Sequence, residues 1–255
     1  MEVESVMVTG ANRGIGLEFV SQLVKLSKPP RIVFATYRNE SAVQDLKDIQ
    51  EKYKETQIVL IQMDISKMSD IESAKNIVDE KVGEKGLNLL INNAGVLKYL
   101  GFPEITVENM LFHFTTNTVG PVMVLKVMLP LLQNSAAQKT SGMNVSRAAV
   151  INISSLMGSI NELTDAHPKK FLQLIGYRTS KAALNMAMRV AALTIKDQGI
   201  LVVNMCPGWV KTDMGSDQAM LEPSESISTM LNTFPNLNEC HHGTYLDRNG
   251  NIILF

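Results

Sequence analysis

The sequence near the N-terminus is Val3-Glu-Ser-Val-Met-Val-Thr9, then Gly10-Ala-Asn-Arg-Gly14-Ile-Gly16, then the run LEFVSQLVKL. The first segment has the apolar character of a short buried strand, and the last has apolar residues at helical spacing. The glycines between them let the backbone approach a ligand, and a helix N-terminus offers unpaired N–H groups. This order predicts a pyrophosphate site, although the spacing Gly-x3-Gly-x-Gly differs from the commonest dinucleotide fingerprint. An ordinary turn is the alternative.

The alternation of strand and helix continues along the chain. We predict further strands at 31–37, 57–62, 87–91, 148–154 and 200–205. We predict helices at 40–53, 70–82, 106–132, 181–198 and 223–234, with Ser224 as a candidate N-cap of the last one. Residues 133–147 are polar and are predicted to form a loop. Residues 243–255 contain the turn signal Asp247-Arg-Asn-Gly250 and predict a hairpin-like end to the sheet. Strands that alternate with helices define an α/β fold, a doubly wound parallel sheet in three layers α/β/α, which is a Rossmann fold.

The size and composition of the chain restrict its class. The 255 residues, 45% hydrophobic and 19% charged, fit one dinucleotide-binding domain, 1–255, that also holds the catalytic and substrate sites. A net charge of −1 gives no overall field for nucleic acid or an anionic membrane. We find no apolar run of membrane-spanning length, no signal peptide and no disulfide framework in two cysteines, and therefore expect a cytoplasmic protein without nucleic-acid or membrane partners.

Polar and glycine-rich signals follow six of the predicted strands. Ligands of doubly wound sheets bind beyond the carboxyl ends of the strands. The coincidence of six such loops at one edge is therefore the main argument for a binding site there. The signals are Gly10–Gly16, Arg38 with Asn39, Asp64 with Ile65, Asn92-Asn93-Ala94-Gly95, Ser154-Ser155, and Pro207-Gly208 with Val210 and Thr212.

The end of the second strand bears on the choice of cofactor. An acidic residue there would bond a ribose 2′-hydroxyl, whereas an arginine accommodates a 2′-phosphate. The sequence is Tyr37-Arg38-Asn39, without a carboxylate, and Arg13 adds a second cation on the same side. This favours NADP over NAD, and two solvated arginines are the alternative.

A second pair of residues points to proton transfer. Tyr177 and Lys181 open a run that has no Gly or Pro up to Gln198, so they lie on one face of a helix. A neighbouring ammonium lowers the pKa of a phenol from about 10. The pair is therefore predicted to exchange a proton near neutral pH. A tyrosine and a lysine on a solvated helix face are the alternative.

Two other polar residues have alternative interpretations. Asp64 either accepts a hydrogen bond from an adenine amino group or caps a helix. Asn117 lies within an apolar helical run, where an unpaired amide costs free energy. It either bonds a backbone carbonyl at a kink, given Gly120 and Pro121, or holds a water near Lys181.

In combination, these residues resemble the short-chain dehydrogenase/reductase family. The matching motifs occur in the family's order over essentially the whole chain. They are Thr9-Gly10-x3-Gly14-x-Gly16, Asn92-Asn93-Ala94-Gly95, Asn117, Ser155, Tyr177-x3-Lys181, and Pro207-Gly208 with Thr212. Within the family, the turn Ala35-Thr-x-Arg38-Asn39, the polar insert near Gly142 and the ending Gly243-x-Tyr-x-Asp247-x2-Gly250 look like the sniffer-type, C-factor-like carbonyl reductases.

The resemblance implies a function and a role for each motif. Tyr177 is the general acid when the carbonyl of a small ketone, aldehyde or quinone is reduced by NADPH. Lys181 lowers its pKa and bonds the nicotinamide ribose, Ser155 rather than Ser154 holds the substrate oxygen, and Asn117 completes a proton relay through water. A homodimer or homotetramer forms through the helices of Asn117 and Tyr177, and no metal is needed. The implied cofactor contacts are Gly10, Asn12, Arg13, Gly14, Ile15, Gly16, Arg38, Asn39, Asp64, Ile65, Asn92, Ala94, Gly95, Tyr177, Lys181, Pro207, Gly208, Val210 and Thr212.

One departure from the family concerns residues 156–176. Tyr177 follows Ser155 by 22 positions, more than in many family members. We expect this connection to border the substrate mouth, with His167, Lys169 and Lys170 contacting a polar substrate or lying in solvent. Residues 213–222 make only a small lid, which favours an open pocket and broad tolerance of carbonyl compounds.

Two other functions compete with carbonyl reduction. One is an NADP(H)-binding sensor or interaction protein with little turnover, which the presence of all four catalytic positions opposes. The other is a sugar-nucleotide epimerase or dehydratase, which is disfavoured because the region after Thr212 is too short for a substrate domain.

Overall fold

Seven parallel strands form one sheet in the computed structural model, which describes residues 2–139, 142–165 and 169–255. The strands are β1 (Ser5–Val8), β2 (Ile32–Tyr37), β3 (Gln57–Gln62), β4 (Leu89–Asn92), β5 (Ala149–Ile153), β6 (Leu201–Cys206) and β7 (Tyr245–Asp247). The sheet order is β3-β2-β1-β4-β5-β6-β7, so its direction of growth reverses between β1 and β4. A ligand crevice is expected at this reversal.

Helices cover both faces of this sheet. They are α1 (Gly14–Leu23), α2 (Gln44–Lys52), α3 (Met68–Val82), α4 (Val107–Phe114), α5 (Gly120–Ala137), α6 (Lys169–Leu172), α7 (Ile175–Thr194) and α8 (Pro223–Thr233). Side chains of a strand alternate between the two faces of its sheet. In β1, Val6 and Val8 therefore pack with α1, α2 and α8, whereas Met7 packs with α3, α5 and α7. The predicted three-layer doubly wound fold is thus confirmed.

The long apolar run forms two helices joined by a π-helical turn at Thr115–Val119. The second of these helices, α5, ends at Ala137, so residues 133–137 are helical and the prediction of a loop there is wrong. The helix continues through these residues because Ser135 and Ala136 are buried in the core. Contrary to expectation, the span Val107–Ala137 is long and apolar enough to cross a membrane, with a mean hydropathy of 1.3. About 44% of its most apolar window is buried within the fold, and a core helix meets the same two criteria.

The chain after β6 differs from the prediction in two places. β7 extends the sheet in parallel beside β6, and the expected hairpin is reduced to one antiparallel bridge between Leu246 and Ile252. Helix α8 begins with Pro223 after Glu222, so Ser224 lies inside the helix and is not its N-cap. A proline suits the first helical position because that N–H has no partner in the helix.

Candidate active site

A cavity of about 740 Å³ opens at the carboxyl edge of the sheet. Its lining comes from the loops after β1 to β6 and from the start of α7. The predicted catalytic and cofactor-binding residues line it, with the exception of Asn92 and Asn117. The polar and glycine-rich loops that the sequence placed at six strand ends therefore converge on one space.

The glycine loop forms one wall of this cavity. Gly10 and Gly14 have φ values of 62° and 53°, which a residue with a Cβ rarely adopts. A Cβ on Gly16 would lie 2.3 Å from the Gly10 carbonyl oxygen, so only glycine fits there. Helix α1 has no side-chain N-cap and no acidic residue in its first turn. Its N–H groups and positive dipole end therefore suit an anionic ligand.

Asn93, which the sequence analysis did not select as a site residue, fixes the glycine loop to β4. Its side-chain amide donates to the carbonyls of Thr9 (2.9 Å) and Gly10 (3.0 Å). In return, the Thr9 hydroxyl accepts the N–H groups of Asn93 and Ala94, both at 3.0 Å. These bonds hold the two loops at the sheet reversal in one fixed arrangement.

Asn92 lies elsewhere than predicted. It is the last residue of β4, and its buried side chain donates to Asn152 Oδ1 at 2.9 Å instead of facing the cavity. Asn152 donates in turn to Asn204 Oδ1 at 3.1 Å, and Asn204 to the Asn185 carbonyl at 3.3 Å. The three strand residues are in register, so a polar row crosses the sheet beneath the site and reaches α7.

The charged end of the cavity contains Arg38 and Asn39, both exposed. Arg13 also lines the cavity, but its guanidinium pairs with Asp213 across the opening. The Asp64 carboxylate accepts the N–H (3.0 Å) and hydroxyl (2.7 Å) of Ser66 and caps no helix. Partial burial raises the pKa of Asp64, but the bonds from Ser66 and the charge of Arg38 outweigh it, so the pKa is lowered.

Tyr177 and Lys181 lie side by side on α7 and are only 7% and 5% exposed. Lys181 Nζ is 5.8 Å from the centroid of the Tyr177 ring and donates to the Ile153 carbonyl at 2.8 Å. Burial raises the pKa of Tyr177 to about 12, although a hydrogen bond with Ser155 opposes the shift. Burial also lowers the pKa of Lys181 to about 8. The pKa of Tyr177 is therefore raised in this structure, where the sequence predicts a lowered one, because desolvation is the largest influence on it.

The two serines after β5 have different partners. Ser154 donates to Asn185 Oδ1 at 2.6 Å and is buried. Ser155 Oγ accepts the Met157 N–H at 3.2 Å and bonds Tyr177. Both border the cavity, but Asn185 holds the hydroxyl proton of Ser154. Ser155 is the serine whose hydroxyl is coupled to the tyrosine.

Asn117 is fully buried in the π-helical turn behind the cavity. Its side chain bonds both backbone groups of Val96, at 2.8 and 2.9 Å, and donates to Ser180 Oγ at 3.0 Å. These bonds correspond to the first of the two alternatives given for Asn117, in which its side chain bonds backbone groups where the helix is irregular. A Cβ added to Gly95 would lie 3.3 Å from Asn117 Oδ1 and 3.8 Å from Lys181 Nζ, so both side chains lie beside this glycine.

Apolar side chains that the sequence did not single out line the cavity beyond Tyr177. Phe171 on α6 meets Trp209 edge-to-face, with ring centroids 5.7 Å apart. Of the three polar residues predicted at this mouth, Lys169 is exposed, and His167 and the side chain of Lys170 lie outside the described residues. No periodicity marks these apolar residues, because they come from separate loops and helix ends. They are Met157, Phe171, Leu174, Trp209 and Met214.

Comparison with known proteins agrees with this geometry. The family model of the short chain dehydrogenases matches residues 4–221. The chain belongs to that family and is an oxidoreductase.

Its similarity extends to carbonyl reductases over the whole chain. The carbonyl reductase Sniffer of Drosophila melanogaster is 34% identical, with a TM-score of 0.93 and full coverage of both chains. An NADPH-bound carbonyl reductase from chicken fatty liver is 39% identical, with a TM-score of 0.94, covering 100% of this chain and 95% of that one. The C-signal protein of Myxococcus xanthus is 35% identical over 165 residues, which are 64% of this chain and 90% of that protein. The expected resemblance to sniffer-type, C-factor-like reductases is confirmed.

Proposed function

We propose that the protein is an NADPH-dependent carbonyl reductase that acts on small ketones, aldehydes or quinones. One observation carries the proposal: Ser155, Tyr177 and Lys181 line the same cavity as the glycine loop and Arg38. A proton donor, a serine hydroxyl and an anion site thus share one space. The NADPH-bound reductase from chicken fatty liver supports this choice of cofactor.

The residues around the cavity fit a dinucleotide. Three glycines bring the backbone close to neighbouring loops. A Cβ on Gly14 would lie 3.1 Å from Thr212 Cγ2, one on Gly10 would lie 3.0 Å from Ala94 Cα, and one on Gly16 would lie 2.3 Å from the Gly10 carbonyl oxygen. The uncapped N-terminus of α1 suits the pyrophosphate. Arg38, exposed at the far end, suits the 2′-phosphate that distinguishes NADPH from NADH.

The catalytic groups suit reduction near neutral pH. Bound NADPH supplies the hydride. With a pKa of about 12, Tyr177 is protonated and can donate its proton to the carbonyl oxygen. Lys181, with a pKa of about 8, is mostly charged at pH 7 and stabilises the phenolate that this donation leaves. Ser155 donates a second hydrogen bond to the same oxygen, which strengthens as negative charge develops there.

The decisive experiment is NADPH oxidation by purified protein with a panel of quinones, aromatic aldehydes and ketones. Tyr177→Phe removes the acid and keeps the ring, so we expect kcat to fall about a hundred- to ten-thousand-fold while the Kd for NADPH changes little. Loss of NADPH binding in this variant would make Tyr177 a structural residue. If the unmodified protein binds NADPH tightly but reduces none of the panel, it is a sensor and not a reductase.

Arg38→Asp tests the choice of cofactor. The substitution replaces a cation by an anion where the 2′-phosphate would bind, so we expect the preference for NADPH over NADH to fall at least about tenfold. Cofactor Kd values from fluorescence titration measure it without turnover. Arg31→Asp is the matched control, because Arg31 is exposed just before β2, at the opposite edge of the sheet. An unchanged ratio in the Arg38 variant would refute the assignment.

A further inference from the structure

Arg178 joins the catalytic helix to both ends of the long connection that precedes it. Its Nε donates to the Phe171 carbonyl at 2.8 Å, and its Nη1 donates to the Met157 carbonyl at 3.4 Å. Phe171 and Met157 both line the cavity, from opposite ends of the connection. One guanidinium, immediately after Tyr177 in sequence, thus holds two walls of the substrate end.

Helix stability does not account for an arginine at this position. Arg178 lies in the first turns of α7, near the helix N-terminus, where a cation opposes the helix dipole. Among the described residues, no carboxylate forms an ion pair with it. Partial burial lowers its pKa, which means that the fold partly desolvates the charge. Its stabilising contacts in the described structure are the carbonyls of the connection.

The side chains that Arg178 positions meet the rest of the substrate wall. Phe171 packs edge-to-face on Trp209, whose indole Nε1 donates to the Gly215 carbonyl at 2.7 Å. The Arg178 N–H bonds the carbonyl of Leu174, another lining residue, at 2.8 Å. Leu174 in turn forms a parallel bridge with Leu100. The result is an apolar wall whose residues line the same cavity as Tyr177.

We propose that Arg178 is a positioning residue that sets substrate specificity by fixing Phe171 and Met157 in the cavity wall. It touches neither the reacting atoms nor the cofactor site. The kinetic test of this inference rests on the proposed carbonyl reduction. A second test uses the fluorescence of Trp209 and needs no turnover. Two-ring aromatic carbonyl compounds depend on this wall for binding, whereas a small aliphatic aldehyde touches little of it.

Arg178→Gln tests the proposal. We expect the ratio of kcat/KM for a two-ring aromatic ketone to that for a small aliphatic aldehyde to fall about tenfold, mostly through KM, which is the scale of lost hydrogen bonds from a charged donor. The Kd for NADPH should change less than about twofold. Arg189→Gln is the matched control: Arg189 is on the same helix and donates to a backbone carbonyl, Gly243 (3.0 Å), outside the cavity. An equal loss on both substrates, or a similar change in the Arg189 variant, would overturn the proposal.

A double-mutant cycle locates the effect. If Arg178 acts through Phe171, adding Arg178→Gln to Phe171→Ala should change selectivity little further, because the positioned ring is already gone. Additive effects in the cycle would contradict this route.

Trp209, the only tryptophan of the chain, gives the independent measurement. Loosening Phe171 should raise the acrylamide quenching of its fluorescence in Arg178→Gln and not in Arg189→Gln. If no carbonyl compound is reduced by the unmodified protein, the proposed function fails while this quenching test still stands. Unchanged quenching together with unchanged selectivity would refute the role of Arg178.

Discussion

Tyr177 and Lys181 show how burial sets the chemistry of single residues. Their spacing on a helix predicts a phenol with a lowered pKa, but the structure removes both groups from water. Desolvation favours the neutral form of each, so the pKa of Tyr177 is raised to about 12 and that of Lys181 lowered to about 8. Near pH 7 the tyrosine is a proton donor, and the lysine is the group that titrates closest to neutrality.

This difference gives a pH prediction. Because Lys181 loses its charge as the pH rises through about 8, the rate of carbonyl reduction should fall above that value, while Tyr177 stays protonated up to about 12. Single-turnover oxidation of bound NADPH from pH 6 to 10 measures the profile. Lys181→Arg keeps a cation at every accessible pH, so the fall near pH 8 should disappear in that variant. A flat profile in the unmodified protein would contradict the assignment of Lys181.

At the scale of elements, the junction between β1, α1 and β4 carries the proposed anion site. The glycine loop is held by the side chain of Asn93 and the hydroxyl of Thr9, and its backbone passes close to Ala94. Strand pairing alone does not fix such a loop. The side-chain amide of Asn93 donates to the carbonyls of Thr9 and Gly10 in place of a backbone N–H. The loop and the start of α1 therefore form one preorganised unit.

Gly16→Ala should disrupt this unit. Its Cβ would stand 2.3 Å from the Gly10 carbonyl oxygen and 2.5 Å from Asn93 Nδ2, so the loop must shift. We expect the Kd for NADPH to rise at least about tenfold, measured by fluorescence titration.

Gly83→Ala is the control for that substitution. Gly83 has φ 53° and ψ −141°, a conformation almost confined to glycine, but no neighbour lies within 4 Å of its added Cβ. It therefore reports only backbone strain, about 1–3 kcal/mol of unfolding free energy. Equal NADPH affinity in the two variants would show that the close approach at Gly16 is unimportant.

At the scale of the whole molecule, α7 carries an apolar stripe that the described part of the fold leaves uncovered. Met186, Val190 and Leu193 recur at helical spacing on α7 and are 64%, 56% and 56% exposed. On neighbouring α4, Val107 and Leu111 are 69% and 60% exposed. Apolar residues grouped in this way are typical of a protein interface. They support the prediction of a homo-oligomer formed through these helices.

Val190→Glu should weaken such an oligomer. A two-fold interface would place the charge twice against apolar surface, and we expect the dissociation constant to rise at least about tenfold. Sedimentation velocity over a range of concentrations measures it. Ser73→Glu adds the same charge at an exposed position on α3 and serves as the control. A monomer in the unmodified protein at all concentrations would refute the prediction.

The sequence by itself determined the α/β alternation, the edge of the sheet where the cavity opens and most of the polar residues and glycines that line it. These are local properties: apolar periodicity, glycine turns and helix spacing are set by neighbours along the chain. The predictions that were wrong depended on partners distant in sequence. The side chain of Asn92 bonds Asn152 within the sheet, residues 133–137 are helical, and β7 pairs in parallel with β6.

Only the tertiary structure decided the pKa values of Tyr177 and Lys181, the partner of Ser154, and the apolar wall of Phe171 and Trp209. Burial depends on what the rest of the chain places around a group, and the wall is assembled from segments that share no sequence pattern. The residues proposed as catalytic could therefore be named from the sequence. The apolar wall that is proposed to select their substrate is assembled only in the fold.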